Sequence, residues 1–398
     1  MDLLKELTRE PVPKELAFTR AEYDDRMAKV RRLMEMEGLD VLLVNSTVNL
    51  CYLTGYQTLF ANWYACLVLP RQGEPVMHVP EIEIPAALVH GWEGEVAFFK
   101  WYEYEGATDQ LARVLKERGF ERGAIGVELD SEGITAGDYQ RLQLLLPQAK
   151  FKDATGLVFR VRVVKSPAEI EHLREAARIT AAGLDAAIEA IAPGKTDNDV
   201  AAAAQQAIVK AGSEFLSIEP IVATGHRSGL IHTTHKRFPL KVGDTLILEF
   251  GGCYQRYTAP TMRAAVIGEP SDLVRRMADA CLTTVSLIFE NARPGRTGHE
   301  VALAAKKGLE PVASETYHHG AFGYSVGIGF PPTWTDGPMY LAEGVDKPLE
   351  PGMTFHLPIT NRSPGRCGVG FSETLLVTET GCEALSCHQP RELAVVPA

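Results

Sequence analysis

The sequence predicts an α+β protein built as two domains. Three observations carry that expectation. The chain is 398 residues long, more than one compact core usually organises. In its second half the β-rich runs read as mainly antiparallel strands. Long amphipathic helices are interleaved with those runs without the strict strand-helix alternation of a doubly wound sheet.

Taken in order, residues 18–38 (FTRAEYDDRMAKVRRLMEMEG) place Met27, Val30, Leu33 and Met34 at helical spacing and end on Gly38, so they predict a helix with a glycine stop. LDVLLVNS, CYLTGY, ACLVLP, EPVMHVP, EVAFFK and GAIGVEL follow as β-rich runs between turn-rich or helical pieces, giving an α/β first domain. Residues 166–191 (SPAEIEHLREAARITAAGLDAAIEAI) open with a serine at the cap position and a proline just inside, the arrangement that starts a long helix. A second domain begins there, with the boundary expected between residues 163 and 164. DNDVAAAAQQAIVKAG and SDLVRRMADACLTTVSLIFENA read as further helices, and TLILEFGG, AAVIG, MTFHLPI and SETLLVTE as strands.

Composition narrows the function classes. A net charge of -11 disfavours nucleic acid and anionic membrane as partners, since both attract a positive field. No apolar run is long enough for a membrane helix, and the charged opening MDLLKELTREPVPKEL lacks the apolar core of a leader peptide. Seven cysteines at positions 51, 66, 253, 281, 367, 382 and 387 show no metal-type spacing, which fits reduced thiols in a cytoplasm. A small soluble substrate is the expectation.

Three stretches then carry a resemblance. FTRAEYDDRM…GLDVLLV…NLCYLTGY, FRVRVVKSPAEIEHLREAARI and VGDTLILEFGG…YTAPTMRAAVIG together resemble the creatinase, aminopeptidase P and prolidase family, whose peptidases are M24-like. The resemblance spans nearly the whole chain. It implies a pita-bread catalytic domain preceded by a creatinase-like N-terminal domain, and a homodimer in which the first domain caps a neighbouring active site.

Peptidases of this family hold two metal ions with two Asp, one His and two Glu, a donor set suited to hard divalent cations. The resemblance maps those five positions onto Glu249, Pro260, Tyr324, Pro358 and Glu373. Proline offers no side-chain lone pair, and a neutral phenol is a poor ligand at neutral pH. Two donors of five remain, so no metal and no cofactor are expected. The competing reading is a shifted register in which His318, His319, Glu315 or Asp336 replaces the missing donors.

SGLIHTTHKRFPLKVGD places His232 eleven residues before Gly243, matching the family's substrate-facing histidine, a group able to pass protons near neutral pH. His226 and His235 stay open between core and site. Metal-free members of the family act on C–N bonds of small amino-acid derivatives, where a cationic carbon between nitrogens needs carboxylates and a proton shuttle more than a Lewis acid. The resemblance therefore implies His232, Glu249 and Glu373 as catalytic. CYQRYTAPTMR and GYSVGIGFPPTW are most similar to the family's ectoine hydrolases, with Thr258, Met262 and Ala264 as departures. Tyr257, Arg263, Tyr324 and His356 are candidate substrate contacts. Phe60, Trp63 and Tyr64 form an aromatic cluster that either packs in the core or lids the pocket across a dimer interface, and Phe60 and Trp63 are carried as candidate contacts on the second reading. The expected function is metal-independent hydrolysis of a C–N bond in a small amino-acid derivative. The alternatives are a metal-dependent Xaa-Pro dipeptidase and a non-catalytic pita-bread binding protein.

Overall fold

Thr19 starts the first helix by accepting the amide of Glu22 on its side chain, and Arg20–Met36 (α1) follows as one continuous helix. Its buried face is Tyr23, Arg26, Met27, Val30 and Met34, and Gly38 ends it at φ +63°. The computed structural model describes residues 7, 10, 12–131, 133–387 and 391–398, with the side chains of 104–105 excluded. Most of the charged opening segment lies outside the described residues. Two compact units divide the chain at Met1–Arg162 and Val163–Ala398.

In the first unit β1 (Val41–Val44), β2 (Cys66–Pro70), β3 (Val76–Pro80), β4 (Glu95–Phe99), β5 (Ala124–Val127) and β6 (Lys150–Asp153) form one sheet in the order β4-β3-β2-β1-β5-β6. β1 and β3 pair antiparallel with β2, while β3–β4, β1–β5 and β5–β6 are parallel. Leu43, Val68, Ile125, Leu111 and Leu115 share its core. One expected strand is a helix. CYLTGY is β-rich by composition, but Thr47–Thr54 (α2) is helical and ends at Gly55 with φ 78°. Nearly all its side chains are buried, so packing overrides the strand preference of Cys51, Tyr52 and Thr54.

Glu128 is buried in this unit, accepting the amides of Asn45 and Ser46 at 2.9 Å each. Burial pushes its carboxyl up from 4.5 to about 7 against those hydrogen bonds. A carboxyl raised on folding binds its proton more tightly in the native state, so the stability it contributes is present at low pH and is lost as pH rises. Between 4.5 and about 7, stability should fall by about 1.4 kcal/mol per pH unit from this group. Urea unfolding across that window checks the slope, and Glu128→Gln should flatten it; an unchanged slope in that variant would exclude Glu128 as its source.

The second unit opens with Pro167–Glu189 (α3), whose Ser166 and Glu169 form a reciprocal capping box, and continues with Asp197–Lys210 (α4). β7 (Ile221–Thr224), β8 (Thr245–Phe250), β9 (Cys253–Tyr254), β10 (Tyr257–Thr258) and β11 (Thr261–Ile267) come next. After Asp272–Asn291 (α5) and Gly298–Lys306 (α6) run β12 (Ala321–Phe330), β13 (Thr333–Ala342), β14 (Thr354–His356), β15 (Ile359–Ser363), β16 (Cys367–Phe371), β17 (Thr374–Val377), β18 (Cys382–Ala384) and β19 (Ala394–Val396). One sheet has the order β19-β11-β8-β7 and a second the order β18-β17-β14-β12-β10-β9 with β13 on β12, while β15 and β16 form a hairpin. Apart from β11–β19, these pairings are antiparallel.

Register places the site. Glu249 stands opposite Ile221 on one side and Met262 on the other; His356 stands opposite Tyr324 and Thr374. Directly paired residues project to the same face, so Tyr324 and His356 lie side by side, with ring centroids 5.3 Å apart. Gly368 lets the β15–β16 hairpin close on the turn after β7. A Cβ there would sit 2.0 Å from the Ser228 carbonyl oxygen, and the Gly368 amide donates to Ser228 Oγ at 2.7 Å. No helix among the described residues is long and apolar enough to cross a membrane.

Candidate active site

A cavity of about 350 Å³ opens in the second unit, at the small end of the range for ligand pockets. Its polar wall includes His232, Glu249, His319, Tyr324 and Arg362, and the rest is largely aliphatic. Glu249 belongs to a strand that is buried throughout, which fixes its backbone. Its Oε1 faces His356 Nε2 at 2.9 Å, and the other ring nitrogen, Nδ1, lies 3.2 Å from the Pro260 carbonyl. A carbonyl only accepts, so Nδ1 carries a proton, and the close Nε2–Oε1 contact holds one more between its two atoms. Glu249 Oε2 has no hydrogen-bond partner among the described residues and belongs to the cavity wall.

Tyr324 Oη accepts from Trp334 Nε1 at 2.7 Å. Burial first, and then the Glu249 carboxylate, push its phenol up, so it stays a neutral hydroxyl with its own proton free to donate. His232 lies in the loop after β7 at φ 54°, a conformation that costs a non-glycine residue free energy and recurs at functional sites. It is exposed and lines the cavity. His319 is lowered by desolvation and next by the Arg362 charge.

The structure thus brings His232, Glu249 and Tyr324 together and seats His356 behind Glu249. It does not bring the other expected residues to the cavity wall. Glu373, expected to face substrate, is 2% exposed and turned to Arg263 Nη2 at 2.9 Å and Arg391 Nε at 3.2 Å. Arg263 is correspondingly consumed, donating also to the Met262 and Ser372 carbonyls. Tyr257 donates to Glu169 at the start of α3, 2.9 Å away. Phe60 and Trp63 belong to the first unit, where they stack at 4.6 Å. At 46% and 38% exposed they are not core residues, whereas Tyr64 is buried. Of the three departures, Met262 alone reaches the cavity, while Thr258 bonds Ser217 in the interior and Ala264 is buried. Arg362, Thr360 and His319 also line the cavity, with no sequence motif that marks them as substrate contacts. Only the two-residue period of β15 hinted that Thr360 and Arg362 share a face.

The five family metal positions do not fit a metal pair. The Pro260 carbonyl is taken by His356 and by Thr374 Oγ1 at 2.8 Å, Tyr324 by Trp334, and Glu373 Oε1 by two arginines, with Oε2 buried away from the cavity. The shifted-register donors are also scattered. Glu315 pairs with Arg276 at the surface, Asp336 is buried against Lys165, and His318 faces a different pocket from His319. Among the described residues no three His, Cys, Asp or Glu side chains gather closely enough to hold a metal ion.

Sheet order, the helices packed on it and a cavity walled by Glu249 match a pita-bread catalytic domain preceded by a creatinase-type N-terminal domain. The metallopeptidase family M24 profile matches residues 171–379 and the creatinase/prolidase N-terminal domain profile matches residues 26–164, and the chain belongs to family M24. It is 32% identical to an ectoine hydrolase of Halomonas elongata over 96% of this chain and 98% of that one. It is 25% identical to an Xaa-Pro dipeptidase of Pyrococcus furiosus over 91% and 97%. The crystal structure of dipeptidase PepE from Mycobacterium ulcerans superposes with a TM-score of 0.81 at 27% identity, covering 96% of this chain and all of that one.

Proposed function

We propose that this chain hydrolyses a C–N bond of a small, cationic, non-peptide amino-acid derivative without a metal ion. The observation that carries the reading is Glu249, with Oε1 engaged by His356 and Oε2 unpartnered at the wall of a small cavity, where three of the four other metal positions are Pro260, Tyr324 and Pro358. The likeness to an enzyme named ectoine hydrolase over nearly the full length supports it. In this reading Glu249 Oε2 takes a proton from water, the water oxygen adds to the carbon between two nitrogens, and the C–N bond breaks as His232 delivers a proton to the leaving nitrogen. Tyr324 donates to a nitrogen or to the developing oxygen, and His356 fixes the orientation and charge of Glu249. Glu373 acts at one remove, as a buried counter-ion that holds Arg263. The exposed Phe60–Trp63 stack is consistent with the homodimer that this reading includes.

The test combines metal analysis of the purified protein with hydrolysis of ectoine, creatine and an Xaa-Pro dipeptide, each with and without chelator. Turnover of an amidine or guanidine substrate at an unchanged rate in chelator is expected. Stoichiometric metal and chelator-sensitive dipeptide cleavage would sink the proposal in favour of the dipeptidase that the other relatives' names suggest. His232→Ala should lower kcat by roughly 10²- to 10⁴-fold with an unchanged melting temperature, because the residue is exposed; a rate within a factor of a few of the parent removes it from the mechanism.

A further inference from the structure

Arg362 is only 8% exposed yet has no ion pair among the described residues. Its Nη1 donates to the Ser228 carbonyl at 2.9 Å and also to the Leu230 carbonyl, which pins the guanidinium against the turn after β7. Its backbone is fixed as well, exchanging hydrogen bonds with Tyr317 at 2.7 and 3.1 Å. The opposite edge of the fork is unfilled: Nε is buried without a partner, and Nη2 has no hydrogen-bond partner among the described residues. Burial lowers the guanidinium, with Glu249 opposing that shift, but arginine stays charged across ordinary pH. A desolvated, unpaired cation is costly unless an anion completes it.

We infer that Arg362 is the carboxylate anchor of this cavity, so that the substrate is a zwitterion with its cationic C–N centre at Glu249 and its acid group on Nη2 of Arg362. The inference rests on the hydrolase reading above and adds which end of the substrate goes where. A carboxylate oxygen meets Nη2 while Nη1 stays on the two carbonyls and Nε is closed to solvent, an aimed donor on a rigid plane that an ammonium lacks. Glu249 and Arg362 both line the cavity, and each has an unpartnered polar atom on its ligand-facing group. Those two opposite charges select an amino-acid derivative over a simple amidine of the same size. Thr360, on the same face of β15 as Arg362 and also lining the cavity, stands beside the acid group.

Binding by calorimetry separates this inference from catalysis. The probes are ectoine and creatine, each paired with the same amidine or guanidine lacking its carboxylate. The parent protein should bind at least one acid on the order of 100-fold more tightly than its carboxylate-free partner, and Arg362→Gln should erase that preference by weakening the acid alone. Arg362→Lys, which keeps the charge and loses the fork, should recover only part of it and guards against a folding defect in the first variant. No preference in either pair with the parent protein, or a preference that survives Arg362→Gln, overturns the assignment. Binding with the preference but without turnover leaves Arg362 in place and removes the hydrolase reading.

Discussion

Glu249→Gln should lower kcat by about 10³-fold while the protein keeps its fold. The amide keeps the length and the hydrogen-bonding capacity of the carboxylate, so His356 Nε2, 2.9 Å from Oε1, retains a partner. What it loses is the ability to accept a proton from water or to attack carbon itself. It also removes the negative charge that the cationic end of the substrate would meet, so KM should rise along with the loss of kcat. Steady-state kinetics on a turned-over amidine or guanidine, beside a thermal melt, gives the answer. A variant within tenfold of the parent would show that Oε2 is not the reactive atom, and would move attention to His232 and Tyr324 as the remaining cavity groups.

Arg263→Met is expected to have the largest effect on stability. Arg263 and Glu373 are almost wholly buried and 2.9 Å apart, and burial lowers the guanidinium while Glu373 works against that shift. Removing one partner of a buried pair strands the other's charge, at a cost of about 3–5 kcal/mol. Arg391 also reaches Glu373, but it is more than a third exposed and replaces only part of the lost interaction. Chemical denaturation should show the midpoint falling at constant slope. A change below about 1 kcal/mol would mean that the pair contributes little, as solvent-exposed pairs do. The double variant Arg263→Met with Glu373→Leu should recover part of the loss, because it leaves no unpaired charge behind.

The elements set by local chemistry were legible in the chain. The cap at Ser166, the proline after it and the apolar period of residues 167–189 dictate that helix through interactions within one or two turns, and the same holds for Thr196 and Ser271 at the heads of α4 and α5. The strands TLILEFGG and AAVIG are equally local in origin. CYLTGY is not legible locally: its residues favour strands on the scale of a few neighbours, while its helix is stabilised by burial on nearly every side, a quantity no window of sequence contains. The aromatic cluster was open between core and lid in the sequence for the same reason: Phe60, Trp63 and Tyr64 are alike in composition, and the packing puts Tyr64 inside and stacks the other two outside.

The site divides along the same line. Residue types along the chain settle which groups exist to do chemistry: a carboxylate at Glu249, a histidine at His232, and prolines and a phenol where a metal set would need donors, since residue type alone fixes whether a lone pair or a proton is present. Which of those groups share a cavity is a matter of packing in three dimensions. Glu373 and Arg263 neutralise each other in the interior, His356 backs Glu249 from another sheet, and Arg362 enters with its guanidinium edge unfilled. These outcomes depend on strand register and on charges meeting across more than a hundred residues, where a shift of one position would turn each side chain to the opposite face of its sheet.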